Sequence, residues 1–419
     1  MSTRRSAPTA AAGSGLDRPR LCSENRRHHE PGHPGETQLR KRKDRARIVP
    51  PDPTSVSRVP TYRNIQALRG IAIILVVLLH LANAELLYGD RRTALSAFAV
   101  FGAAGVDLFF VISGFVMATI VRGTFQKPGS LPLFLYSRAA RIYPPYWVFS
   151  VTLLAAHQLL PALGDPQRWR ELDVTRSLLL LPQFNLPILV VGWTLVLELY
   201  YYLVVALSLL LPERFFVALL LVWAGTVTAA NAVLPQTTIV LGPAAFVAIY
   251  PQAIEFIVGC LLARLVEVGL RRWGTLCFSL GATLLPALYA GYAAGRPGYV
   301  PSAWDRCALF GVPSALMVYG ACSMELSGAT RLPRFLMSVG DRSYTMYLTH
   351  VPVILAVSVL CNRLADGGIA DPRIAGALRA VAVGGAAALG YVAVERPLHR
   401  TMRQIRERWQ ARPRTARPA

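Results

Sequence analysis

The segment Ile65–Leu81, IQALRGIAIILVVLLHL, is apolar at nearly every position yet carries an arginine, Arg69, and a histidine, His80. With its flanks, 65–87, it has the roughly 20 residues that a membrane-spanning helix needs. Eleven residues are about three helical turns, so both polar groups project from nearly one face, about 16 Å apart along the axis. A guanidinium inside hydrocarbon costs at least ~2.5 kcal/mol on the mildest scale, so the pair is expected to face a protein cavity rather than lipid. Snorkelling of Arg69 to the interface, with His80 as a packing hydrogen bonder, is the structural alternative.

The rest of the chain supports a membrane protein. Of 419 residues 53% are hydrophobic and only 16% charged, a balance that excludes an ordinary soluble enzyme of this length. Apolar stretches at 65–87, 95–121, 143–163, 192–211, 214–232, 244–266, 273–293, 306–324, 342–361 and 374–394 predict an all-α bundle of about ten transmembrane helices. The net charge of +21 resides largely in the tails and in loops on one side, among them Arg122, Lys127, Arg331 and Arg334. By the positive-inside rule both termini are expected in the cytoplasm of a bacterial inner membrane.

Residues 1–60 are rich in Arg, Pro, Ser and His, lack a signal-peptide core and read as a disordered basic cytoplasmic tail. The run 40–47 is expected to meet anionic lipid, and no nucleic-acid partner is expected. Residues 61–395 form the membrane domain and 396–419 a second basic tail. The six cysteines contain no CxxC, and His28, His29 and His33 lack companions at ligand spacing, so no metal is expected.

Several spans carry further polar groups. Glu198, in WTLVLELYYY (193–202), is six residues into a span entering from the outside, about 9 Å deep. His80 lies about 8 Å from the same boundary of a core ~30 Å thick, so the two are expected to pair, the carboxylate fixing the imidazole as a general base. Asp107, in GVDLFFVISGF (105–115), is expected near mid-membrane, pairing a buried cation, Arg69 or another, with nearby glycines permitting close helix approach. Glu255, in AIEFIVG (253–259), is buried with its role open. Arg138 and Arg141, in SRAARIYPPYW (137–147), share one side of a helical turn before a Pro-Pro that starts or bends the next helix. That spacing suits a clamp on a phosphorylated ligand, and positive-inside anchoring is the plainer reading. Tyr344, Tyr347 and His350 fall within two turns of SYTMYLTHVP (343–352), where His350 is placed to orient a ligand or the charge network.

These motifs in this order resemble the membrane-bound acyltransferase 3 family, particularly bacterial exopolysaccharide O-acetyltransferases. The resemblance covers residues 61–395: Arg69 and His80 with ten residues between, GVDLFFVISGF, RxxR before Pro144, WxLxxE ending at Glu198, EFIVG, SYxxYLxH and a closing Glu395-Arg396-Pro397. It implies an acyl-CoA donor, expected to be acetyl-CoA, on the cytoplasmic side, no bound cofactor, and transfer to a hydroxyl of a cell-surface or exported glycan. His80 is then the implied base, and Arg69, Arg138 and Arg141 the implied donor-binding residues, with Arg69 as CoA ligand or oxyanion donor. Both direct transfer and a covalent acyl-histidine fit the residues. Some relatives carry a soluble esterase-like domain after the last span; this chain is expected to complete transfer itself or to pass the group to polysaccharide-assembly partners. A secondary transporter or glycan flippase with an intramembrane proton relay is the alternative class.

Overall fold

The computed structural model describes residues 62–88, 100–159, 166–233, 242–296, 300–329, 331–365 and 372–411. The basic segment 1–60, with its histidines, lies outside the described residues, as do the last eight residues.

Among the described residues the secondary structure is entirely helical. The principal helices are α1 (Arg63–Tyr88), α2 (Ala104–Val121), α3 (Ser130–Leu159), α4 (Gly192–Ser208), α5 (Phe216–Val233) and α6 (Ala253–Glu267). They are followed by α7 (Gly274–Gly295), α8 (Val312–Leu326), α9 (Arg334–Asp341), α10 (Ser343–Ala365), α11 (Pro372–Gly390) and α12 (Arg396–Ala411). Eight helical stretches are long and apolar enough to cross a membrane among the described residues. Of the ten expected spans, the two that fall outside that set are 143–163 and 192–211. The first belongs to α3, which begins much earlier and carries Arg138 and Arg141 inside the helix, and the second is the 17-residue α4.

The Pro-Pro of α3 neither starts nor ends a helix. Pro144 and Pro145 remove the donors for the carbonyls of Ala140 and Arg141, yet the helix runs on to Leu159, a continuity that transmembrane helices tolerate when neighbours re-satisfy the backbone. Arg138 and Arg141 therefore share a rigid element with the span that follows them. The segment expected as a basic tail from 396 onward is helical to Ala411, with the Tyr136 hydroxyl donating to the Met402 carbonyl oxygen at 3.3 Å.

Burial separates centre from rim. The apolar window of the stretch Phe101–Val121 is 72% buried, as expected for a helix hydrophobic on every face, whereas that of Gly274–Gly295 is 11% buried and presents its side chains outward. The central α2 packs on α6 and α1 through missing side chains. A Cβ on Gly114 would overlap the Phe256 carbonyl oxygen, and one on Gly259 the Val111 carbonyl oxygen, so the two backbones touch where glycine stands on both sides. Gly70 and Gly340 make the same reciprocal approach between α1 and α9, one residue beyond Arg69.

The start of α1 is fixed by a carboxylate. Glu325, at the end of α8, accepts the backbone N–H groups of Arg63 and Asn64 at 2.8 and 2.7 Å, an anion at the positive end of a helix. Asn64, fully buried, donates to Ala321 O and accepts from Leu332 N, which ties α1 to two other segments and sets the height of Arg69.

Replacing Gly259 by Val drives α6 away from α2. The expected loss is about 1–3 kcal/mol or more, read as a lower thermal midpoint and reduced monodisperse yield in detergent. The same change at Gly225, which faces open space, leaves both unaltered.

Candidate active site

One cavity gathers residues from five helices. Arg69 of α1, Ser113 of α2, Arg138 and Arg141 of α3, Glu198 and Tyr202 of α4, and Ser343, Tyr344 and Tyr347 of α10 line it. Its remaining wall is apolar, with Val106, Phe109, Phe110 and Ile112 of α2 prominent.

The polar side is held in place by its own contacts. Arg69 Nη2 donates to Ser343 Oγ at 3.0 Å. Glu198 Oε1 accepts from Ser113 Oγ at 2.9 Å and from the Tyr202 hydroxyl, one turn on in α4. Tyr344 donates to the Ile142 carbonyl oxygen at 2.7 Å, locking α10 to the turn of α3 that carries Arg141. Arg138 Nη1 reaches only the Met117 sulfur, at 3.8 Å, and its Nε is buried without a partner. Among the described residues no carboxylate forms a salt bridge with Arg69, Arg138 or Arg141. Three guanidinium groups thus line the space with one carboxylate, while a second, Glu395, acts on Arg69 from outside the lining, so cations still outnumber anions. Unpaired charge away from water is costly, so the site is built to receive an anion.

His80 lies elsewhere. It is absent from the cavity lining, and its partner is an imidazole rather than Glu198: His350 Nε2 is 3.3 Å from His80 Nδ1, the rings meeting edge-on with centroids 4.7 Å apart. The expected Glu198–His80 pair is therefore replaced by two separate arrangements. The depth count for Glu198 began at Gly192, but the chain is already inside the protein before that residue, with Ile188, Leu189 and Val191 at 0–3% exposure. Glu198 instead lines the cavity with Arg69. Tyr347 stands between the two groups. It lines the cavity, contacts the His350 ring at a centroid distance of 5.8 Å, and hydrogen-bonds Thr194 and the Val191 carbonyl oxygen.

Asp107 and Glu255 belong to a third cluster. Asp107 is fully buried in the first turn of α2, and its cation is Arg306. The guanidinium binds it through two prongs, Nη2–Oδ2 at 2.8 Å and Nε–Oδ1 at 3.2 Å, and also donates to Ala103 O. Sequence reasoning missed Arg306 because it is the first residue of the expected 306–324 span and passed as a boundary residue. Glu255, 2% exposed, packs against Gly311 in the same region. Neither residue lines the arginine cavity. Glu395 was noted only as a motif terminus. It is buried and accepts from the Thr345 backbone N–H at 3.1 Å and from the Thr345 hydroxyl, joining the last span to α10 two residues after Ser343.

The sequence matches the acyltransferase 3 family, described as an acyltransferase domain, across residues 62–394. The chain belongs to that family. It is 31% identical over 319 residues to the exopolysaccharide production protein ExoZ of Rhizobium meliloti, covering 73% of this chain and 92% of that protein. It is 28% identical over 330 residues to the acyltransferase MdmB of Streptomyces mycarofaciens, covering 72% of this chain and 80% of that protein. No solved structure matches significantly. The protein is thus a multi-pass membrane acyltransferase, and the choice between enzyme and transporter falls to the enzyme.

Removing one partner of the Asp107–Arg306 pair leaves a buried charge uncompensated. Asp107→Asn is expected to lower stability by about 3–5 kcal/mol in thermal unfolding, and the double replacement Asp107→Leu with Arg306→Met to recover most of it.

Proposed function

We propose that the protein is an O-acyltransferase that moves an acyl group, acetyl as the expected one, from acyl-CoA to a hydroxyl of an exported or cell-surface glycan. The observation that carries this reading is the excess of arginines in a cavity whose other wall is apolar: three line it against one lining carboxylate, with Glu395 acting on Arg69 from behind. A CoA thioester has both halves of the matching chemistry: phosphates for guanidinium forks and a thin, largely uncharged arm for the apolar wall. The name of the Rhizobium relative supports a polysaccharide acceptor.

The phosphates of the donor dock at Arg138 and Arg141, with Arg69, steadied by Ser343, completing the positive rim. The arm extends past Tyr347 toward His80, which lies about 16 Å farther along α1 than Arg69. His80 takes the proton of a sugar hydroxyl as its oxygen attacks the thioester carbonyl, help worth about 10²–10⁴ in rate. The positive-inside pattern supports entry of the donor from the cytoplasm, with both termini on that side of a bacterial inner membrane and the acceptor meeting His80 nearer the opposite face.

Membranes containing the protein, incubated with acetyl-labelled acetyl-CoA and a glycan extract, are expected to label the glycan. Arg138→Gln and Arg141→Gln are expected to raise the donor KM about tenfold or more each, as charge-assisted hydrogen bonds to phosphate are lost, with a smaller effect on kcat. His80→Ala is expected to lower kcat by about 10²–10⁴ with the donor KM little changed. Labelling by His80→Ala at the wild-type rate would remove the base from the mechanism, and an unchanged donor KM in both arginine variants would remove the cavity.

A further inference from the structure

Two imidazoles in contact, each with its Nδ1 beside a backbone carbonyl oxygen one turn back, carry more information than either carries alone. His350 Nδ1 lies 3.0 Å from the Met346 carbonyl oxygen, one turn back in α10. A carbonyl oxygen only accepts, so the hydrogen on that nitrogen is dictated by its neighbour. In the neutral ring Nε2 then holds a lone pair. His80 repeats the geometry in α1: Nδ1 lies 2.9 Å from the Val76 carbonyl oxygen and also carries the hydrogen. The nitrogens that meet between the rings are His80 Nδ1 and His350 Nε2, at 3.3 Å. The two assignments, reached from two carbonyl groups, are compatible at that contact: the one hydrogen on His80 Nδ1 is shared between Val76 O at 2.9 Å and the His350 Nε2 lone pair at 3.3 Å. The opposite tautomer of His350, or its doubly protonated form, would set N–H against N–H.

We propose that His350 is a positioning residue that holds His80 in the tautomer with Nδ1 protonated and Nε2 free. The proposal rests on the acyltransferase reading with His80 as base. His350 is fully buried whereas His80 keeps partial exposure, and no described residue hydrogen-bonds His80 Nε2. The pair therefore has one open basic atom. Proton transfer to it converts His80 into an imidazolium whose Nδ1–H is shared by the Val76 carbonyl oxygen and the His350 lone pair, so the new charge meets two acceptors without a second buried charge having been installed. The step balances. The acceptor O–H bond breaks with its proton passing to Nε2, the oxygen bonds to the thioester carbonyl carbon, the C–S bond breaks, and the departing thiolate takes the proton from Nε2, returning His80 to its starting tautomer. The task that a carboxylate performs for many catalytic histidines falls here to a neutral ring.

The test uses the full chain purified in detergent, acetyl-CoA as donor and a glycan preparation that the wild type acylates. A Gln side chain places an amide oxygen where His350 Nε2 stands; an Asn stops short of His80, and a Phe fills the space without an acceptor. His350→Gln is expected to keep kcat within about tenfold of wild type. His350→Asn and His350→Phe are expected to lose about 10²-fold or more, the scale of disabled general-base catalysis, with donor KM within about threefold because the arginine cavity is untouched. The Asn and Gln variants, each a small polar replacement, keep the comparison meaningful if the Phe variant fails to fold. Equal losses in the Gln and Asn variants, or a loss confined to KM, would overturn the positioning role. A fully active His80→Ala measured alongside would instead overturn the reading of His80 as base, which separates the two failures.

Discussion

Arg69, Arg138 and Arg141 come from two helices and meet over a cavity that holds a single carboxylate, Glu198, already engaged by Ser113 and Tyr202. Charge of one sign gathered away from water raises the energy of the empty state, and the rest of the molecule has to sustain it. Glu325 anchors the start of α1, Ser343 steadies Arg69, and Tyr344 ties α10 to the arginine turn of α3. Each contact keeps guanidinium groups close that would otherwise separate. The Asp107–Arg306 cluster shows the contrasting solution. There the cation is matched by a two-pronged carboxylate inside the same bundle, and nothing from outside is needed to balance it. One cluster is closed to ligands by its own pairing and the other is left open by the lack of it.

The function is laid out along α1 and α10 together. Arg69 and Ser343 stand at one level, His80 and His350 at the other, and Tyr347 between them closes the cavity wall on one side and touches the imidazole pair on the other. An acyl donor that is charged at one end and reactive at the other suits such a layout, because the proposed recognition and chemistry are separated by about 16 Å along α1 and about 10 Å along α10. The glycine contacts between α1 and α9, immediately after Arg69, hold those two backbones in close register.

Most of this was legible in the sequence where a single helix sets the geometry. The three-residue step from Arg138 to Arg141 is a relation within one helix, and both line the cavity; the eleven-residue step from Arg69 to His80 lies on one helix too, but only Arg69 lines that cavity. Relations between helices were harder. A depth count along one helix pairs Glu198 with His80, but depth alone does not say which faces meet: Glu198 turns into the arginine cavity and His80 toward His350. The partner of Asp107 was sought among cations inside spans, while Arg306 sits at the edge of one. His350 was singled out by its position in a span, yet only the packing of α10 on α1 reveals that it faces another histidine. Of the two readings of the Pro-Pro of α3, a helix start gives way to a continuous helix: proline breaks a helix in water more readily than one whose freed carbonyl groups find neighbours inside a bundle.

The most direct measurement is a cryo-EM structure of the protein with a non-transferable acyl-CoA thioether. The expected result is phosphate density within about 4 Å of at least two of the guanidinium groups of Arg69, Arg138 and Arg141, with the arm running past Tyr347 toward His80. A complex with the phosphates bound elsewhere and the arginine cavity filled by a lipid chain would contradict it.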